Sequence, residues 1–212
     1  ENTILKYKYP TELSTVPPYN EMVERNILNP AVEISEYKNT DSFIQKTVNN
    51  YSNPYPDVYR LSNSQTRHGN YPIESRINYG YSSFGNLVHV SKDNSEKAVY
   101  LWGYNHQYPI AKIENATYTD VTGIISETAL NTIAAKNEPA ASDWNTVNGL
   151  RTSLPNALVT TYKYKPLSGM TEKIDPRGIV TRYEYDGFQR LKTVKDHNNS
   201  TVEEYEYHYK NQ

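Results

Sequence analysis

Histidine is the side chain best suited to metal binding or proton transfer near neutral pH, and this chain has five, at positions 68, 89, 106, 197 and 208. None falls in an HxH, HxxxH or HExxH spacing, so neighbouring ligands for a transition metal are not expected. Gly80-Tyr81-Ser82-Ser83-Phe84-Gly85 superficially offers a serine nucleophile. A nucleophile elbow needs glycine two residues either side of the serine and a strand-to-helix turn; Gly85 is three away and a strand pattern follows. The nine glycines do not cluster into a phosphate-binding loop, and there is no cysteine for thiolate chemistry. Asp175 and Asp196 can be read as a carboxylate pair, but each sits where a turn needs a side-chain acceptor. The residues therefore predict no catalytic constellation, no metal and no cofactor.

What the chain does repeat is tyrosine. Tyr7/Tyr9, Tyr79/Tyr81, Tyr162/Tyr164, Tyr183/Tyr185 and Tyr205/Tyr207 each place two rings on one face of a strand. Tyr100-Leu101-Trp102-Gly103-Tyr104 extends the alternation to three aromatics. From Tyr164 to Tyr185 is 21 residues and from Tyr185 to Tyr207 is 22, a period that marks an array of small units. Tyr185 is followed at the sixth residue by Leu191 and at the ninth by Val194, and Tyr81 likewise by Leu87 and Val90. Ile110 and Ile113 hold those offsets from Tyr104, and Met170 the first of them from Tyr164. Each unit reads as a β-hairpin with an aromatic first strand and a short turn of Asp, Gly or Asn. Leu87, Leu191, Ile110 and Met170 are expected to be buried beneath their own aromatics. The units 162–165, 183–186 and 205–208 are expected to lie adjacent, so that Lys163 and Lys165 oppose Glu184, Asp186, Glu204 and Glu206.

Tyr185-Asp186-x-x-x-Arg190-Leu191, closing on Asp196, resembles the YD repeat of RHS proteins. Gly85-Asn86-Leu87, Trp102-Gly103-Tyr104-Asn105, Tyr108-Pro109-Ile110-Ala111 and Lys165-Pro166-Leu167 are similar to RHS-type surface proteins of Bacteroidetes. The resemblance covers residues 79–114 and 157–212 and thins over 1–78. It implies large bacterial surface or secreted proteins whose repeats coil into a β-sheet shell, and here a C-terminal fragment of one. Two positions depart from the pattern: Ser82 replaces the aspartate of one unit, and Gln189 replaces the turn glycine of another. Because left-handed glutamine is strained, Gly187 is expected to take the positive φ in that turn.

The fold expected is mainly β with an α insert: an array of antiparallel β-hairpin units with a helical hairpin between them. Residues 1–78 read as an irregular and β segment with one short helix near 21–28 and two strands within 32–48. Residues 49–72 read as an irregular loop with one short strand near 58–61. Two repeat-like units follow over 79–114 and more over 157–212. Between them the period changes to 3.6, with Val121, Ile125 and Ile133 on one face behind a Thr119 or Asp120 cap. A second helix capped by Ser142 carries Trp144, Val147 and Leu150. Together these make a helical hairpin over 115–156.

Hydrophobic residues are 36% of the chain and 21 residues are tyrosine, so amphipathic rings carry much of the burial. The net charge of −2 gives no electrostatic case for nucleic acid or an anionic membrane. No apolar run reaches the length of a membrane span. The chain has no initiator methionine, and any targeting signal is expected upstream.

The function expected is a non-enzymatic structural or adhesive scaffold of the cell envelope or exterior, with neighbouring repeats of a longer chain as partners. The alternative is a carbohydrate- or peptide-binding module, possible partners being a carbohydrate or a surface protein. Such a surface is expected where the repeat is broken: at Tyr51, Tyr55 and Tyr59, at Trp102 and His106, and at Trp144 should its helix expose it. Trp144 begins an apolar stripe and reads as buried.

Overall fold

The computed structural model describes residues 2–39, 42–92 and 96–208, which divide into two compact units, Glu1–Lys97 and Ala98–Gln212. Asp93, at the end of one repeat-like stretch, and the terminal Tyr209 to Gln212 lie outside the described residues.

The first unit is an antiparallel meander of β1 (Thr3–Lys8), β2 (Glu33–Lys38), β3 (Ser42–Tyr55), β4 (Val58–His68), β5 (Glu74–Tyr81) and β6 (Leu87–Lys92), paired in chain order. Between β1 and β2 run a 3-10 turn, Pro10–Leu13, and helix α1 (Tyr19–Glu24). Tyr19 and Met22 of α1 pack with Val32 and Tyr59 as a small core. The stretch expected as irregular loop is instead a long hairpin of β3 and β4. Its amides and hydroxyls pair across the strands: Asn50 donates to Asn63 and to Gln65 at 3.2 Å each, and Ser64 to Asn49 at 3.2 Å. Asparagine and serine are poor strand formers alone, but cross-strand partners override that preference. Pro54, which cannot donate to a ladder, sits where the register shifts between Ser52 and Tyr55.

The second unit begins within β7 (Glu96–Gly103) and runs through β8 (Tyr108–Glu114), α2 (Tyr118–Thr122), α3 (Glu127–Ala134), α4 (Ala141–Ser153) and then β9 (Leu158–Lys165). Strands β8 and β9 pair directly, Ala111 opposite Thr161, so the helices leave and rejoin between neighbouring strands. The insert holds three helices where two were expected. The first ends at Gly123, and Ser126 starts the next by accepting from the Ala129 amide at 3.3 Å. Thr117 caps α2, exchanging bonds with Asp120, while Asp143 accepts the Ala140 amide at 2.6 Å to open α4; Ser142 does not cap it. Val121, Val147 and Leu150 are fully buried with Val99, Ile113 and Val159 of the sheet.

The meander continues through β10 (Gly169–Ile174), β11 (Val180–Tyr185), β12 (Leu191–Lys195) and β13 (Thr201–Glu204). The tyrosine strands β9 and β11 are thus separated by β10, not adjacent. Lysine and acid do oppose, but within each hairpin: Lys163 with Glu172 at 2.7 Å and Lys195 with Glu184 at 2.5 Å. Of the four aliphatic residues expected to be buried, only Ile110 is, at 1% exposure; Leu87, Met170 and Leu191 are half-buried. Trp102 pairs with Pro109, leaving Ile110 as an extra residue tucked under Gly103, where an added Cβ would stand 2.6 Å from it.

Candidate functional site

Four turns share one construction. Asp175 Oδ1 accepts the amides of Arg177 and Ile179, Asp186 those of Phe188 and Arg190, and Asp196 those of Asn198 and Ser200, all at 2.8–2.9 Å. Ser82 Oγ does the same for Phe84 and Asn86 at 3.2 and 3.3 Å. The fourth residue of each turn is left-handed: Gly178 at φ 82°, Gln189 at 63°, Asn199 at 63° and Gly85 at 77°. Gln189, not Gly187, therefore takes the positive φ. Two amides and the Arg190 guanidinium on Asp186 outweigh the strain of a left-handed glutamine. The amides of Ile179 and Arg190 are the main reason the carboxyls of Asp175 and Asp186 are held below their ordinary range. The expected carboxylate pair is thus a set of turn acceptors.

The second tyrosine of three pairs locks the hairpin before it. Tyr81 Oη donates to the Leu61 carbonyl at 2.8 Å, Tyr185 to Met170 at 2.8 Å and Tyr207 to Leu191 at 2.7 Å. Each acceptor immediately precedes the extra residue of a bulge, where the ladder is locally disrupted and a carbonyl needs a partner. Beside the helical insert the pattern changes. Tyr104, Tyr108 and Tyr164 cluster with centroids 4.9–5.9 Å apart, and Tyr104 Oη accepts from the Tyr164 amide at 3.0 Å. Burial pushes the Tyr164 phenol up to about 12.

The residues expected to bind a ligand are placed as follows. Tyr59 is buried, its hydroxyl donating to Glu21 at 2.8 Å. Tyr51 is half-buried edge-on against Tyr19, centroids 6.5 Å apart. Tyr55, at the β3–β4 tip, is 45% exposed. Trp102 and His106 belong to the second unit and are half-buried. Tyr104, Asn105 and His106 are successive left-handed residues. The amides of Asn105 and His106 donate to the Lys136 and Ala134 carbonyls at 2.9 Å each, capping the end of α3. Desolvation lowers the His106 pKa. Trp144 is buried, its indole donating to the Pro139 carbonyl at 3.1 Å. Among the described residues no group of three His, Cys, Asp or Glu is placed to hold a metal ion.

Sequence reasoning missed a shallow trough of about 310 Å³ on the first unit, lined by Glu33, Ser35, Tyr37, Phe43, Lys46, Arg67 and Asn70. All but Asn70, in the turn after β4, come from three strands, and only the pairing register brings them to one face. Burial tends to raise the Glu33 carboxyl, but hydrogen bonds from Lys46 and Lys8 outweigh it and hold the group below its ordinary value.

Residues 168–208 match the family model RHS Repeat. This stretch is similar to an RHS repeat. It holds all three aspartate turns whole and both tyrosine locks of the second unit. None of the curated proteins matches the chain. Among solved structures, TcdB2-TccC3 without its hypervariable C-terminal region is similar at 9% identity and a TM-score of 0.46, over 88% of this chain and 10% of that one. The Photorhabdus luminescens Tc holotoxin pore is similar at 11% identity and 0.38, over 86% of this chain and 10% of that one. The chain thus spans about a tenth of the length of these structures.

Proposed function

We propose that the chain is a non-enzymatic β-repeat scaffold, a structural or adhesive piece of a bacterial cell-envelope or secreted RHS-type protein. Its partners in this reading are the neighbouring repeats of a longer parent chain. The observation that carries it is the repeated lock within residues 168–208: an aspartate closes each turn, and a tyrosine ties each hairpin to the one before. Such units gain stability from their neighbours and serve as frame. No helix among the described residues is long and apolar enough to cross a membrane. Protease shaving of intact cells, with mass spectrometry of the released peptides, tests the location. Recovery of peptides from 157–208 is expected; their absence from shaved intact cells, with recovery after lysis, would reject an exterior role.

A second reading, a carbohydrate- or peptide-binding module, draws on the exposed ring of Tyr55 and the half-exposed Trp102 and His106. A glycan array read with tryptophan fluorescence separates the two: Tyr55→Ala and Trp102→Ala would abolish binding in this reading and leave the scaffold reading untouched.

A further inference from the structure

Lys46 of β3 and Arg67 of β4 stand directly opposite each other across an antiparallel pair, and so on one face of it. Like charges in that position destabilise a sheet. Lys46 has a counter-ion in Glu33 at 3.0 Å, which it shares with Lys8 at 3.2 Å. Arg67 has none: among the described residues no carboxylate meets its terminal nitrogens, yet it is held in place. Its Nε donates to the Gly69 carbonyl at 3.1 Å, and its guanidinium lies over the Phe43 ring, 5.5 Å from the centroid. Lys6 extends the same face, its ammonium 4.5 Å over the Tyr37 ring. Lys6, Lys8, Lys46 and Arg67 against Glu33 make this face +3 among the described residues, on a chain whose net charge is −2.

A guanidinium fixed by its Nε and by ring stacking presents its outer nitrogens as a fork for an oxyanion. We propose that the trough recognises a carboxylate borne by an acidic polypeptide segment, gripped by Arg67 and Lys46 with its methylene stem against Tyr37 and Phe43. The volume, about 310 Å³, is at the low end of what holds a small ligand group. The lining charges, Lys46 and Arg67 against Glu33, sum to +1 and so match one carboxylate; a dianionic phosphate would face Glu33. The backbone of β3 is already paired on both sides, to β2 and to β4, so a segment bound here is held by its side chains and not by strand addition.

The test is a titration of the whole chain, following the Arg67 Nε–Hε resonance, with the blocked peptide acetyl-Glu-Glu-amide. A saturable shift is expected, weakening as salt rises. Arg67→Lys should loosen binding more than tenfold, and Lys46→Gln several-fold. Glu33→Gln should tighten it several-fold, a gain that a misfolded variant would not give. Arg182→Gln, on the second unit, should change nothing. Absence of a saturable shift, an equal response to acetyl-Gln-Gln-amide, or tighter saturation by inorganic phosphate would each overturn the proposal.

Discussion

Gln189 holds a backbone conformation that glycine adopts freely, and its side chain is exposed. Gln189→Gly should therefore stabilise the chain by up to about 1 kcal/mol, the relief of left-handed strain less the extra freedom of the unfolded glycine. Chemical denaturation checks this; a loss of stability would mean the glutamine side chain makes a contact that matters. Asp175 and Asp186 make a second, pH-dependent prediction. Their folded pKa values are depressed, so their contribution is present above the unfolded value, about 3.9, and is lost as pH falls through the folded values. The melting temperature should drop from about pH 4 downward, and Asp186→Asn should flatten that slope. The aspartates were legible as turn acceptors because the chemistry of an Asx turn lies within a few residues. The left-handed glutamine was not, because the intrinsic cost of its φ is outvoted by bonds to an aspartate three residues earlier.

The tyrosine period announced hairpins, but it could not say that each aromatic strand has a plainer strand beside it, since spacing alone does not give adjacency. Nor did it reveal the bulges, and with them the hydroxyl's task. Tyr185→Phe removes the bond to Met170 and should cost about 1 kcal/mol; no change in denaturation midpoint would make the lock incidental. Gly169→Ala should cost more. Its φ is 151°, and a Cβ there would lie 2.3 Å from the Tyr185 hydroxyl, so strain of about 1–3 kcal/mol adds to loss of the lock. Ile110→Ala, at a fully buried site, should cost about 2–5 kcal/mol, and Leu191→Ala, half-buried, distinctly less. The third helix of the insert was hidden because Val121, Ile125 and Ile133 keep helical spacing across the break at Gly123; Ser126 was its one local sign. The long β3–β4 hairpin was hidden because its amides matter through partners more than ten residues away.

For the molecule as a whole, burial is concentrated where α2, α3 and α4 cover β7, β8 and β9. Hydrogen exchange should find its slowest amides at Val99, Leu101, Ile113 and Val159, and fast exchange across β13, whose four residues are all exposed. Uniform protection would contradict this gradient. The cationic trough was illegible for a reason of the same scale: Tyr37, Phe43, Lys46 and Arg67 are unremarkable in sequence, and three strands must be in register before their charges meet. The tyrosine locks have a mechanical consequence. Over residues 157–208 every tie reaches only the hairpin before it, so tension applied at the C-terminal end loads one tie at a time. Under an optical trap this stretch should yield as a sequence of small rips, each releasing about one hairpin's length of chain and beginning at Tyr207, and a Tyr185→Phe chain should skip the later resistance while keeping the first.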